Sequence, residues 1–156
     1  MFKGIKHISL IVVIFLFIGI GIYYTQFSTS EIVTNISLKP NDTPTINLGG
    51  SVYAKNCASC HGANLEGQIN WRQRDSNGYL PAPPHDESGH TWHHSDQYLF
   101  LMTKYGIEEM IGKRYPNNMP AYKDVLTDNE IIAVLSYIKS TWPEHIKQQH
   151  DLLNSR

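Results

Sequence analysis

The chain has 156 residues, of which 41% are apolar, 17% are charged and 11% are aromatic. Its 13 Lys and Arg residues nearly balance 14 Asp and Glu residues, which excludes a nucleic-acid binder held mainly by phosphate contacts. The aromatic content excludes a fully disordered chain, and the presence of only two cysteines excludes a disulfide-dense scaffold or a four-thiolate metal site.

The N-terminal segment, residues 1–27, is predicted to be a membrane anchor. Lys3 and Lys6 precede an apolar run from Ile8 to Tyr24, which is near the shortest length that spans a bilayer as a helix. The two lysines place the N-terminus in the cytoplasm, so the rest of the chain is expected in the periplasm, tethered to the cytoplasmic membrane. The alternative is a signal peptide cleaved at residues 28–30, which would leave a soluble periplasmic protein.

Residues 28–47 are expected to form a flexible tether, because they are rich in polar residues and contain Pro40 and Pro44, which disfavour a helix. A short helix is predicted from about Gly50 to Ser59. The long loop that follows, residues 62–94, is expected to wrap around something, since structureless connections of this length are rare in compact domains.

Two further helices are predicted beyond this loop. The first begins at Ser95 and ends near Gly106, because serine caps helix N-termini and glycine ends helices. The second begins at a capping box, residues 127–130, carries an apolar stripe at helical spacing and stops at Pro143. Residues 144–156 are interpreted as a polar tail with the character of a frayed helix.

Cys57-Ala58-Ser59-Cys60-His61 is the motif that indicates a chemistry. Two thiols three residues apart on a helical turn both reach the vinyl groups of one haem, and the adjacent histidine then faces the iron. A thioredoxin-type redox pair, an ordinary disulfide of an exported protein and a zinc site completed by two loop histidines are alternatives. Export together with the adjacent histidine favours a covalently attached haem c.

Three segments in order resemble the class I c-type cytochromes of bacteria, which are monohaem proteins. Gly49, Tyr53 and the cysteine motif have the spacing of that family's first helix, G-x3-aromatic-x3-C-x2-C-H. The sequence N-M-P-A-Y at residues 118–122 is similar to its sixth-ligand loop, and Leu126–Trp142 is similar to its last helix.

The resemblance covers residues 48–143 and implies an all-α, cytochrome c-like domain. In such a domain, three to four short helices wrap around one covalent haem, and here a transmembrane helix would precede it. The first and last helices are expected to cross at near right angles, with Gly49 allowing a close approach and Tyr53 and Tyr137 packing at the crossing.

The resemblance also implies the haem attachment. Cys57 and Cys60 are the expected thioether residues, and His61 is the expected proximal ligand of the iron. The second ring nitrogen of His61 needs a fixed acceptor, which in this family is a proline carbonyl of the following loop. The sequence leaves three candidates open, which are Pro81, Pro83 and Pro84.

The expected sixth ligand is Met119, because it precedes the stiffening Pro120 in the loop that resembles the family's ligand loop. Met102 lies in a helix stripe, where methionine usually packs in the core, and Met110 lacks a flanking proline. A histidine of the long loop is the alternative. Because a thioether ligand raises the reduction potential relative to two imidazoles, a positive potential is expected.

The histidine loop, defined here as residues 83–96, is interpreted as a lining of the haem that hydrogen-bonds a propionate and caps the next helix. A copper site and a docking or proton-linked surface are alternatives. The histidines concerned are His85, His90, His93 and His94. Trp71, Arg72 and Arg74 are candidates for pairing with haem propionates, because a guanidinium suits a carboxylate.

The expected function is one-electron transfer between ferric and ferrous iron, with His61 and Met119 as axial ligands. We expect a carrier and not an enzyme, in a respiratory chain, with a quinol-oxidising complex or a dehydrogenase as donor and an oxidase or reductase as acceptor. A subunit of an oxidoreductase complex is compatible with this reading. The alternatives are a peroxidase-like haem enzyme with a labile sixth ligand and a copper-handling redox partner that uses the histidine loop.

Overall fold

The computed structural model describes residues 35–155, and every regular element in that range is helical. The helices are α1 (Thr43–Asn56), α2 (Ala58–His61), α3 (Asp96–Tyr105), α4 (Ile107–Ile111), α5 (Asp128–Ser140) and α6 (Glu144–Asn154), with a 3₁₀ turn at Thr91–His93. No helix in this range is long and apolar enough to cross a membrane. The predicted anchor, residues 1–27, lies outside the described residues.

The close contact between α1 and α5 is confirmed, and it is made at a glycine. A Cβ atom at Gly49 would overlap the carbonyl oxygen of Ala133 and lie 2.7 Å from the Cβ of Tyr137. The rings of Tyr53 and Tyr137 pack beside this contact, with centroids 5.6 Å apart. Because a side chain at Gly49 would separate the two backbones, the crossing depends on a residue without one.

Two predicted helix starts are confirmed by their caps. The Ser95 hydroxyl accepts a hydrogen bond from the backbone N–H of Tyr98 at the start of α3. At the start of α5, Thr127 and Glu130 form the predicted capping box, in which each side chain accepts a hydrogen bond from the backbone of the other residue. These local signals were sufficient because a cap involves only neighbouring residues.

The first helix begins at Thr43, so the predicted start near Gly50 and the predicted tether boundary at residue 47 are wrong. The Asp42 carboxylate caps α1 by accepting a hydrogen bond from the backbone N–H of Thr45 at 3.0 Å. Pro44 lies in the first turn, where a missing N–H group costs no helical hydrogen bond. The proline interpreted as a helix breaker is therefore part of a helix start.

Residues 35–39 form a strap on the domain, in contrast to the flexible tether expected there. Ile36 and Leu38 are buried, and the N–H of Leu38 donates to the Asp96 carboxylate at 2.8 Å. The N–H of Lys39 donates to the Ser136 hydroxyl at 2.9 Å. Two buried side chains at alternating positions and two hydrogen-bond acceptors on distant helices hold this segment. The polar composition of the segment does not reveal these contacts.

Residues 144–154 are also part of the domain, because α6 is a complete helix and not a frayed tail. Ile146 and His150 lie four residues apart and face the core together, and both are buried. The ring of His150 is fully buried, with Nε2 2.8 Å from the carbonyl oxygen of His94. Lys139 of α5 pairs with Asp151 of α6 and adds a polar contact between the two helices.

Candidate functional site

The predicted cysteine motif lies where α1 ends and α2 begins. Cys57 closes α1, and the N–H groups of Cys60 and His61 both donate to its carbonyl oxygen, which makes a tight turn. The two thiols are free, so the ordinary disulfide is not present. Burial raises the pKa of the Cys57 thiol to about 11, with a contribution from Cys60, which opposes the low-pKa thiolate of a thioredoxin-type pair.

His61 is buried at the end of this turn, and the structure selects its acceptor from the three candidate prolines. Its Nδ1 lies 2.8 Å from the carbonyl oxygen of Pro83. A carbonyl only accepts, so Nδ1 carries the proton and Nε2 has the free lone pair that binds a metal. Burial lowers the pKa of His61, although the Pro83 carbonyl acts in the opposite direction, so the neutral ring is favoured.

The turn therefore offers the donor set that a covalent haem requires. Cys57 and Cys60 supply two uncommitted sulfur atoms three residues apart, and His61 supplies an oriented, unprotonated nitrogen. The residues fit a haem c, because its attachment uses two thioethers and one neighbouring imidazole. A zinc site would need further ligands close to these three residues.

No complete set of such ligands is present in the part of the chain that the structure describes. Within residues 35–155, no three His, Cys, Asp or Glu side chains are grouped so that they hold a metal ion. The imidazoles lie against aromatic rings instead, as when His93 stacks on Trp92 with centroids 3.6 Å apart. His94 stacks on Tyr98 in the same way at 4.6 Å. The zinc and copper alternatives thus have no ligand set here.

Met119 lies half-buried on the loop between α4 and α5, and this loop returns to the cysteine turn. The N–H of Met119 donates to the Asn117 side chain at 3.1 Å. Three residues later, the hydroxyl of Tyr122 donates to the carbonyl oxygen of Asn56, the residue before Cys57, at 2.8 Å. The loop is therefore tied to the attachment turn, close to the residue that is expected to bind the sixth position.

The residues expected to pair with the haem propionates lie in two separate places. The Arg72 guanidinium lies 3.9 Å from the centroid of the Trp71 ring, and the His90 ring stacks on the same indole at 5.3 Å. All three line a cavity of about 270 Å³ that also touches Pro83. Arg74 lies elsewhere, because its guanidinium donates to the carbonyl oxygen of Gly78.

The sequence places His85 in the loop expected to line the haem, but it does not predict the contact that His85 makes with His61. Its ring stacks on the ring of His61, with centroids 4.0 Å apart and planes inclined by 23°. In the sequence it is one of four histidines of the histidine loop and carries no signal of its own. Its position two residues after Pro83 becomes informative only once the Pro83 carbonyl is known to hold His61.

Comparison with known families agrees with this geometry. The family described as Cytochrome c matches residues 46–142, which is more than half of the chain. The chain belongs to the cytochrome c family. It therefore carries a covalently attached haem c, and its Cys57 and Cys60 pair fits the attachment motif of that family. Comparisons with curated proteins and with solved structures give no match.

Family membership fixes the general function of this cytochrome, which is haem-based electron transfer. The strap, residues 35–39, and α6 lie outside the matched segment, and both reach Asp96 at the start of α3. The Asp96 carboxylate accepts from the N–H of Leu38 at 2.8 Å and from the Asn154 amide at 3.2 Å. These two additions close the domain around the family's helices.

Proposed function

We propose that this cytochrome is a monohaem electron carrier on the periplasmic face of the cytoplasmic membrane, with His61 and Met119 as the axial ligands. It accepts electrons from a quinol-oxidising complex or a dehydrogenase of a respiratory chain and passes them to an oxidase or a reductase. The observation that carries the proposal is the hydrogen bond of 2.8 Å between His61 Nδ1 and Pro83 O beside two free thiols.

The two proposed ligands have different roles in holding the iron and setting its reduction potential. A bound haem supplies an iron that gains and loses one electron. His61 offers Nε2 from a ring whose tautomer Pro83 determines, and the hydrogen bond at Nδ1 makes that nitrogen a better donor. A thioether from Met119 stabilises the ferrous state relative to a second imidazole, so the reduction potential is raised. With both positions taken, no substrate binds at the iron, which favours a carrier over an enzyme.

The proposed location rests on the sequence before residue 28. Lys3 and Lys6 flank an apolar run and favour export of the residues that follow. An anchor confines the domain to the membrane surface and raises its effective concentration near membrane-bound partners. Cell fractionation with haem staining tests this proposal, because the full chain is expected in the membrane fraction. Recovery of the full-length haem protein in the soluble periplasmic fraction would contradict it.

The axial ligands are tested by the far-red absorption of the oxidised full-length protein. Sulfur bound to ferric haem iron gives a weak charge-transfer band there, which we expect in the native protein and not in Met119→Ala. The variant should keep its covalent haem, lower its reduction potential and bind carbon monoxide when reduced. Met102→Leu and Met110→Leu are matched controls that should keep the band.

Two results would overturn the proposed ligation. The first is a native protein without the band, which would mean that Met119 is not the ligand and would favour two imidazoles or an open iron. The second is a band that persists in Met119→Ala and disappears in one of the other methionine variants. Native protein that binds carbon monoxide as readily as Met119→Ala would favour a haem enzyme over a carrier.

A further inference from the structure

His85 occupies the space directly behind the proposed proximal ligand. Its ring lies nearly parallel to that of His61, with centroids 4.0 Å apart, and edge-on to Tyr53 of α1 at 6.2 Å. The Pro83 hydrogen bond restrains the direction of Nδ1 but resists tilting of the ring plane only weakly, because hydrogen-bond angles at a carbonyl vary widely. A parallel ring against its face opposes such a tilt.

His85 is itself held by three hydrogen bonds, one to its ring and two to its backbone. Its Nδ1 lies 2.8 Å from the Thr91 hydroxyl, which is buried in the 3₁₀ turn. Its backbone N–H donates to the carbonyl oxygen of Leu65 at 2.8 Å. Its carbonyl oxygen accepts a hydrogen bond of 2.8 Å from Trp142 Nε1, two residues after the end of α5. The backbone of His85 is therefore fixed by separate parts of the domain, and its ring cannot turn without breaking the contact with Thr91.

The segment between the two contacts is also rigid. Pro84, whose ring restricts φ, joins the residue that bonds His61 to the residue that stacks on it. A Cβ atom at Gly89 would overlap the Pro84 carbonyl oxygen, and one at Gly67 would lie 2.7 Å from the Pro83 carbonyl carbon. At these two glycines, backbone packs closely against Pro83 and Pro84. One rigid segment therefore makes both the hydrogen bond to His61 and the ring stack on it.

We propose that His85 is a positioning residue that sets the orientation of the His61 ring plane about the bond between Nε2 and the haem iron. The proposal rests on the ligation by His61 given under Proposed function. The plane of an axial imidazole, together with the orientation of the other axial ligand, sets the energies of the two nearly degenerate iron orbitals that share the unpaired electron of low-spin ferric haem. His85 thereby controls the electronic asymmetry of the haem through its contact with His61.

A purely structural role would not need a ring at this position. A branched aliphatic side chain of similar size would fill the same buried space, and would not require the Thr91 hydroxyl as a partner. An aliphatic side chain offers no flat face against His61, so the plane of the His61 ring can tilt more freely. The experiment must therefore test the ring stack on His61 and the hydrogen bond to Thr91 that supports it, and it must distinguish both from simple filling of the space.

The test is proton NMR of the ferric full-length protein, in which the hyperfine shifts of the four haem methyl groups report the axial-ligand plane. His85→Leu is expected to change the order or the spread of these shifts, because it removes the flat face. His85→Phe keeps a flat face against His61 but cannot bond Thr91, so its pattern is expected to lie closer to the native one than that of His85→Leu. His150→Gln is the matched control, since it removes another buried imidazole that does not contact His61.

A second pair of variants covers the case in which His85→Leu does not mature with haem. Thr91→Val removes the hydroxyl that holds His85 and is expected to move the shift pattern, whereas Thr91→Ser keeps the hydroxyl and the pattern. Native shifts in both His85→Leu and Thr91→Val would overturn the proposal. So would equal displacement in His150→Gln, or a His85→Phe pattern displaced as far as that of His85→Leu.

The failure of this inference is distinguishable from failure of the proposed function. If the native protein lacks the low-spin ferric spectrum, the proposed ligation fails and the inference fails with it, whereas a low-spin protein that lacks only the far-red band rejects Met119 and leaves the test of His85 in place. If the native protein shows both and His85→Leu leaves the methyl shifts unchanged, only the role of His85 is rejected.

Discussion

The two sides of the proposed haem site are built differently. The proximal side, which comprises residues 57–61 with the Pro83–His85 segment, is held by hydrogen bonds and stacking from helices and loops far apart in the chain. The side of Met119, residues 112–127, is a loop that caps α5 and whose other hydrogen bonds to the rest of the domain are made at Tyr115, Tyr122 and Lys123. One proposed ligand is therefore embedded in the core, whereas the other lies half-buried on a loop.

The difference indicates how the proposed closed site would be assembled, from a rigid proximal half and a more adaptable loop. His61 is adjacent to the covalent attachment, so its position follows from the turn and its support. Met119 is separated from that turn by more than fifty residues and depends on the path of the loop. Changes on the proximal side should remove or reorganise the haem, whereas changes in the loop should alter the sixth position and leave the haem attached.

The largest expected effect is the loss of covalent haem in a double variant, Cys57→Ser with Cys60→Ser. Without either sulfur, no thioether forms, and haem staining after denaturing electrophoresis should show none. Met119→Ala, on the opposite side, should stain as strongly as the native protein. Equal loss of staining in both would break the distinction between an attachment side and a tuning side.

The next effect concerns the helix contact behind the proximal turn. Gly49→Ala should lower the free energy of unfolding by about 2–3 kcal/mol, because the new methyl group overlaps the Ala133 carbonyl oxygen. Gly50→Ala is the matched control, since its Cβ would meet the Tyr137 ring at an ordinary 3.5 Å. Alanine also favours a helix over glycine by up to about 1 kcal/mol, so this control should not destabilise. Denaturant unfolding of both variants measures the difference.

Acid should destabilise the domain through its buried histidines, none of which lies in the loop of Met119, residues 112–127. Burial lowers the pKa of His150, assisted by Lys139 and opposed by Asp96. The unfolded chain then binds a proton more readily than the folded protein, so stability that is present at neutral pH is lost as the pH falls below about 6.5. One such group gives a slope of at most about 1.4 kcal/mol per pH unit.

This prediction is measured by denaturant unfolding between pH 5 and pH 8, values chosen to bracket the ordinary pKa of histidine, about 6.5. His150→Gln should flatten the slope, because it removes the buried titrating ring. His145→Gln changes an exposed histidine of the same helix and should leave the slope as it is. A slope unaffected by His150→Gln would show that this ring does not couple acid to stability.

The smallest effect compares two tyrosine hydroxyls with the same geometry. Tyr53 donates to the Gly62 carbonyl on the proximal side and Tyr122 donates to the Asn56 carbonyl from the loop, each at 2.8 Å. Tyr53→Phe and Tyr122→Phe should each cost about 1 kcal/mol of unfolding free energy. Only Tyr122→Phe should weaken the far-red band and raise the rate of carbon monoxide binding. Equal spectra in both variants would mean that the loop does not depend on Tyr122.

Local signals predicted the elements that are determined locally. The capping box at Thr127 and the cap at Ser95 involve side chains within three residues of the groups that they satisfy. The predicted start of α1 is wrong, because Pro44 by itself indicates a helix breaker. After the Asp42 cap, however, a proline is suited to the first turn of a helix. The role of α6 was also missed, since its polar composition conceals the two residues that reach the core.

The sequence by itself determined the covalent attachment, because C-x-x-C-H places two thiols and an imidazole within one turn regardless of the remaining fold. It also determined the need for a glycine where α1 meets α5. Only the tertiary structure decided which proline holds His61, that His85 stacks on it, and that the strap and α6 close the domain. These contacts join residues 22 to 97 positions apart. The sequence offers several residues of the same type as partners, and only packing selects one.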